Sequence, residues 1–114
     1  MILDIGFNEL VEDVYDDISN GEAGTSTTLF DKNQTGVISS IGSTDIALST
    51  KVLATKRINA TYVLDTTLAN SNTVTEYEIN NGSIAYNRCT KAGVAKTSND
   101  ELTMIHTWDF QVII

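Results

Sequence analysis

Apolar and polar residues alternate most regularly at the end of the chain, over residues 102–114. Seven residues share one face of this segment, namely Leu102, Met104, His106, Trp108, Phe110, Val112 and Ile114, and six of them are apolar. An alternation with a period of two residues is typical of a half-buried β-strand. Because a one-residue shift in register would turn this whole face to water, the pattern predicts a core strand over residues 102–114.

Shorter segments that precede residue 102 are also strand-like. We expect extended chain or strand at residues 46–56, 57–68, 73–79 and 83–90. Asn80, Asn81 and Gly82 separate the last two segments and accept the positive φ of a tight turn, so these two segments are predicted to form a hairpin. Residues 69–72 are predicted to be a turn, and residues 91–100 a longer loop.

The start of the chain has a different period. Apolar residues recur at helical spacing, with acidic residues on the opposite face, which predicts a helix over residues 7–19. Asn8 is a suitable N-cap for this helix, and Asn20-Gly21 is a suitable stop, because glycine tolerates the left-handed conformation past a helix end.

These elements predict a mostly β protein, an antiparallel β-sandwich of about six strands with one N-terminal helix. The length of 114 residues allows one domain over residues 1–114. Within it we expect an acidic helix over residues 1–21, a loop-rich part with short strands over residues 22–56, and antiparallel strands over residues 57–114.

The net charge of −8 lies in the first quarter of the chain. Residues 1–31 carry eight acidic and no basic residues, whereas residues 32–114 carry seven of each. This distribution argues against a nucleic-acid partner, which requires clustered basic residues. The acidic helix face is either a solvated surface that aids solubility or a docking face for a basic partner.

The single cysteine, Cys89, excludes an internal disulfide framework and a cage of cysteine ligands for a metal. We find no apolar run of roughly eighteen residues that predicts a membrane span, and no basic and apolar N-terminal signal. Synthesis in the cytoplasm is the expectation.

A search for catalytic chemistry finds no candidate, so we expect no enzyme and no cofactor. The lone imidazole, His106, lies on the apolar face of the last strand, and Cys89 lies within a predicted strand as a small, buried or half-buried side chain. The carboxylate pairs of the helix have no histidine beside them. Residues 31–42 resemble a calcium loop but end in Gly42 in place of the bidentate Glu, so no metal site is predicted.

The order of motifs along residues 5–114 resembles small virion proteins of tailed bacteriophages and tailed archaeal viruses. The motifs are Gly24-Thr-Ser-Thr-Thr after the acidic helix, Leu68-Ala-Asn-Ser-Asn-Thr-Val-Thr-Glu76, Ala92-Gly-Val-Ala-Lys-Thr97, and the closing Leu102-Thr-Met-Ile-His-Thr-Trp-Asp-Phe strand. Ser26 and Tyr77-Glu78-Ile79 depart from the family pattern.

The resemblance implies a non-enzymatic structural protein located in the virion, in the tail tip, baseplate or fibre-attachment region. Its partners would be copies of itself and other virion proteins, in a homo-oligomer without nucleic acid or membrane contact. The candidate assembly interface comprises Tyr15, Asp16, Asp17, Ile113 and Ile114. A capsid decoration or turret protein is one alternative to a tail protein.

A β-sandwich that binds a carbohydrate or receptor, such as a host-surface glycan, is the other alternative. Few aromatic side chains are expected to be free to stack on sugars, because most of the large ones occupy positions predicted to be buried: Tyr15, Tyr62, Tyr77, Tyr86 and Trp108.

Overall fold

The computed structural model of the chain describes residues 3–111. These residues form α1 (Asp4–Asp17), β1 (Asn20–Gly24), β2 (Ile46–Ala47), β3 (Thr50–Ala54), β4 (Arg57–Leu64), β5 (Asn72–Asn80), β6 (Ala85–Lys96) and β7 (Leu102–Asp109). The strands make two antiparallel sheets, a four-stranded sheet in the order β2-β1-β5-β6 and a three-stranded sheet in the order β3-β4-β7. The predicted fold class is therefore confirmed, with seven strands among the described residues in place of about six.

The hydrophobic core lies between the two sheets. On β4 every second residue, Ile58, Ala60, Tyr62 and Leu64, has no exposed surface, as the alternation predicts. Gly21 of β1 faces them, and a Cβ atom there would lie only 2.6 Å from Cγ of Tyr62. A glycine at this position lets the tyrosine ring pack directly on the backbone of the opposite sheet.

The predicted closing strand is confirmed over its described part. β7 pairs with β4 from Leu102↔Leu64 to Asp109↔Arg57. Its predicted inner face is buried or half-buried, while Thr103, Ile105 and Thr107 are exposed. Val112 and Ile114 lie outside the described residues.

The helix was predicted too far along the chain. It begins at Asp4, so Asn8 is inside it, and Leu3 stands at the N-cap with no side-chain capping bond. Asn20 and Gly21 are the first residues of β1 and not the stop signal of the helix. The helix ends where Ile18 turns to an extended conformation and enters the core.

The predicted loop at residues 91–100 is wrong over its first six residues, because β6 continues to Lys96 and pairs with the start of β5. The reason is tertiary: the Lys96 side chain is buried and donates to Asn70 Oδ1 at 2.9 Å across the hairpin. A bulge opposite Thr75 interrupts the ladder between Val74 and Glu76.

Two other strand ends differ from the prediction. β4 stops at Leu64, because Asp65 starts a turn by accepting the Thr67 N–H at 2.8 Å. β6 starts at Ala85, and not at Ser83, because Asn81 accepts the N–H groups of Ser83 and Ile84 and so extends the turn.

Residues 25–40, here called the cover loop, fold over the outer face of the four-stranded sheet. The loop is closed at its base by hydrogen bonds from Thr25 N to Ser39 O and from Ile41 N to Ala23 O. On β5, Tyr77 and Ile79 point into the core, so the alternating residues Glu76 and Glu78 point outward, beneath this loop.

Candidate functional site

Glu76 is the centre of a buried polar cluster under the cover loop. Its carboxylate has no exposed surface and accepts hydrogen bonds from the backbone N–H groups of Ser26 (2.8 Å), Ile38 (2.7 Å) and Ser39 (2.9 Å). Arg88 of β6 donates from Nε to the same carboxylate at 2.9 Å in a buried ion pair. One side chain thereby satisfies backbone donors at both ends of the cover loop.

The charge state of Glu76 follows from these donors. Burial alone would raise the pKa of the carboxyl, but the hydrogen bonds from Ile38, Ser39, Arg88 and Ser26 outweigh it and hold the pKa below its usual value. The carboxylate is therefore ionised at neutral pH and serves as an acceptor.

Glu78 lies on the same outer face and behaves differently. It accepts from Val37 N at 2.9 Å and from Asn80 Nδ2 at 3.1 Å. Burial raises its pKa, and the neighbouring Glu22, which stands directly opposite on β1, raises it further against the effect of those two bonds. Both Glu78 oxygens are bonded within the protein, and the side chain also lines a cavity of about 290 Å³ together with Glu22 and Asp45.

Gly24 allows the cluster to form. A Cβ atom at this position would lie 2.6 Å from Ser39 O and 2.7 Å from Cδ of Glu76. Thr75 adds a bond from its hydroxyl to Ser26 O at 2.9 Å. The segments Gly24–Thr28 and Leu68–Glu76, far apart in sequence, therefore meet around one carboxylate.

The third motif, Ala92–Thr97, packs against the segment Leu68–Glu76. Lys96 binds Asn70, Ser71 N donates to Lys96 O at 2.9 Å, and a Cβ at Gly93 would lie 2.7 Å from the Thr73 methyl group. The polar groups of three motifs are thus used in holding strands and loops together.

His106 and Cys89 form a pairing that resembles catalytic chemistry. Cys89 Sγ lies 4.0 Å from His106 Nδ1, and Asn87 Nδ2 lies 3.3 Å from the same nitrogen. The sequence placed these residues on separate strands and did not bring them together, since the contact depends on how the two sheets stack. The predicted burial of His106 is confirmed, at 6% exposure.

The protonation of this pair is unsuited to nucleophilic catalysis. Burial, with a contribution from Lys91, lowers the pKa of His106 to about 4. Burial also raises the pKa of the Cys89 thiol. Both groups are neutral at pH 7, whereas an activated cysteine requires a thiolate stabilised by a cationic neighbour.

An open groove lies at the edge where β6 and β7 flank the helix. It encloses about 450 Å³ and is lined by Val14, Tyr86, Thr107, Trp108, Asp109 and Phe110. The prediction that Tyr86 is buried is wrong, since this side chain is 43% exposed. Its hydroxyl donates to Asp17, which fixes the ring at the mouth of the groove. The groove could have been found from the sequence only by placing α1 beside β7.

Three of the five candidate interface residues, Tyr15, Asp16 and Asp17, lie in the part of the chain that the structure describes. Tyr15 is half-buried, and Lys51 Nζ lies 4.7 Å from its ring centre. Asp16 is exposed, whereas Asp17 accepts bonds from Tyr86 and Asn81. Ile113 and Ile114 lie outside the described residues.

Within residues 3–111, no group of three or more His, Cys, Asp or Glu side chains is arranged to hold a metal ion. No helix in that range is long and apolar enough to span a membrane.

No protein-family model matches the chain, and no curated protein or solved structure matches it at a significant level.

Proposed function

We propose that the chain is a non-enzymatic structural protein of a tailed virus particle, present in repeated copies in the tail, baseplate or fibre-attachment region. The observation that carries the proposal is the engagement of Glu76, Arg88 and Lys96 in internal bonds that join the three motifs. Motifs that build a scaffold fit an assembly protein better than a catalyst.

The sheet edges support assembly. Both sheets are open, so β2, β3, β6 and β7 each have one side without a strand partner within residues 3–111. Unpaired strand edges attract further strands, and a protein held at high local concentration in a particle can cover them with neighbouring copies or other virion proteins.

Particle fractionation tests the proposal. Virions purified from an infected host by density gradient should contain the chain in fixed stoichiometry, and particle density should locate it in the tail. A position on the capsid would favour the decoration alternative. Absence from purified particles, with the chain recovered only as free protein, would overturn the proposal.

One observation favours a glycan-binding alternative. Tyr86, Trp108 and Phe110 line one groove together with the polar groups of Thr107 and Asp109, and aromatic faces beside hydrogen-bonding groups suit sugar rings. A glycan array tests this alternative, with Tyr86→Ala as the matched variant. Saturable binding by the wild type that the substitution abolishes would promote it.

A further inference from the structure

Three side chains with sulfur or nitrogen donor atoms line one small cavity between β6 and β7. The cavity encloses about 200 Å³, and its wall includes Cys89, Met104 and His106. Cys89 belongs to β6, whereas Met104 and His106 are two residues apart on β7 and so project from the same face of that strand. The stacking of the two sheets thereby brings a thiol, a thioether and an imidazole to one place.

The imidazole of His106 is incompletely hydrogen-bonded. It is 6% exposed, and its Nε2 atom is buried without a hydrogen-bond partner among residues 3–111. Its Nδ1 atom has Asn87 Nδ2 at 3.3 Å, which is longer than a usual hydrogen bond, and Cys89 Sγ at 4.0 Å. Because buried polar groups in native proteins are normally bonded, an imidazole with so few bonds is a candidate for binding an ion.

The spacing of His106 Nδ1 and Cys89 Sγ fits a metal ion between them. Bonds of about 2.0–2.1 Å to nitrogen and about 2.3 Å to sulfur span the separation of 4.0 Å with an angle of about 135° at the ion. A tetrahedral ion such as Zn²⁺ requires an angle of about 109° and a separation of about 3.6 Å. The wider angle suits an ion with two or three ligands.

The donor atoms and the surrounding charge both favour a soft monovalent ion. Thiolate and thioether sulfur favour Cu⁺ over harder ions, and the flexible side chain of Met104 can add its sulfur as a third ligand. Within the described part of the chain no Asp or Glu side chain lines the cavity, whereas the exposed Lys91 does. One thiolate neutralises a monovalent ion, but a divalent ion would leave an uncompensated positive charge beside Lys91.

We propose that Cys89 and His106 bind one Cu⁺ ion, with Met104 as the third ligand. On binding, the S–H bond of Cys89 breaks, the sulfur forms a bond to Cu⁺, and the proton goes to solvent. The charge of the site is therefore unchanged and no electron is transferred. The ion replaces the long contact of Asn87 with Nδ1. This binding property is additional to the proposed structural role and does not depend on it.

A competition titration tests the two principal ligands. Metal-free protein is titrated anaerobically at pH 7 with Cu⁺ held by a chromophoric chelator, and native mass spectrometry counts the bound ions. We expect one Cu⁺ per chain with the loss of one proton. Cys89→Ala should weaken the affinity at least about 100-fold and His106→Gln at least about tenfold, because each removes a direct bond to the ion.

A matched pair of substitutions on β7 tests the third ligand. Met104→Leu keeps the side-chain volume but removes the sulfur, so it should weaken Cu⁺ binding about tenfold. Ile105→Leu, at the neighbouring exposed position, should leave the affinity within about threefold of the wild type. Circular dichroism of each metal-free variant verifies that it folds.

Fluorescence locates the ion. Trp108, the single tryptophan of the chain, lines the same cavity. Addition of Cu⁺ should change its emission in the wild type with a one-to-one end point, and should leave the emission of Cys89→Ala unchanged.

The last comparison separates a preformed site from an isolated thiol. The wild type unfolded in urea has the same residues without their geometry, and should bind Cu⁺ at least about tenfold more weakly than the folded chain. Equal affinity of the folded and unfolded chains, or undiminished binding by folded His106→Gln, would overturn the proposal. Binding of Zn²⁺ as tight as that of Cu⁺ would also overturn it. None of these results bears on the particle fractionation that tests the proposed function.

Discussion

Glu76 keeps its charge inside the protein because four donors surround it. Taking a carboxylate and a guanidinium out of water is costly, and only close geometry with further hydrogen bonds offsets that cost. Here the backbone of the cover loop supplies those bonds. The ion pair therefore specifies where the loop lies more than it adds to overall stability.

Glu76→Gln should destabilise the fold by about 3–5 kcal/mol, because it leaves the Arg88 charge buried without a counter-ion. Urea unfolding at pH 7 measures this loss, with Glu101→Gln as the control at an exposed acid. Replacing Arg88 by Leu in the same chain should recover part of the loss. A loss below about 1 kcal/mol for Glu76→Gln alone would contradict this account.

The pKa of Glu76 is lower in the folded than in the unfolded protein. Its contribution to the free energy of unfolding is therefore present above the unfolded pKa and disappears as the pH falls through the folded value.

His106 predicts a second pH dependence. Its pKa is 6.5 in a model peptide and about 4 in the folded protein, so between these values the unfolded chain binds a proton that the folded chain does not. Stability should therefore fall as the pH drops from 6.5 towards 4, by about 2.5 kcal/mol at pH 4.5. Lys91 and Cys89 lie beside this imidazole on β6.

His106→Gln should remove that part of the pH dependence. The quantity to compare is the difference in unfolding free energy between wild type and variant at pH 7 and at about pH 4.5, because the carboxylates contribute equally to both proteins. If the free energies of unfolding of the two proteins change with pH in the same way, His106 is protonated in the folded state and the prediction is wrong.

At the scale of elements, local alternation was sufficient to predict β4 and β7. It failed where a long-range contact decides the structure. Residues 92–95 are mostly small, lie between Lys91 and Lys96 and show no clear alternation, so the strand is revealed only by its pairing with β5 and by the bond of Lys96 to Asn70. The acidic alternation of Glu76 and Glu78 on β5, with Arg88 in the partner strand, was a usable signal for the buried cluster. The loop that buries it was not visible locally, because its contacts are 37 or more residues away.

The approach of the two sheets depends on Gly21. Gly21→Ala should destabilise the protein by about 1–3 kcal/mol, because the added methyl group would overlap the Tyr62 ring, which is fixed by a 2.6 Å bond from its hydroxyl to Thr44 O. Gly42→Ala is the matched control, since no atom lies within 4 Å of a Cβ there, and it should change stability by less than about 0.5 kcal/mol. Equal effects of the two substitutions in thermal unfolding would disprove the close packing.

At the scale of the whole molecule, charge opposes self-association. Each copy carries a net charge of −8, and its radius of gyration is 15.0 Å. Two such copies with centres about 40 Å apart repel each other by roughly 2 kcal/mol at an ionic strength of about 0.01 M. At about 0.15 M the repulsion energy falls to a few tenths of that value. A single exposed ion pair between two copies contributes about 0.2–1 kcal/mol, so at low ionic strength the repulsion is the larger effect.

Self-association should therefore become stronger with salt, by roughly tenfold in the dissociation constant between about 10 and 150 mM NaCl. Sedimentation velocity measures this change. A variant with Glu9→Gln, Glu12→Gln and Asp13→Asn changes the net charge from −8 to −5 on the exposed helix face and should show less than half of the salt effect. Weaker association at higher salt would instead mean that attraction between acidic residues of one copy and basic residues of another outweighs the net repulsion.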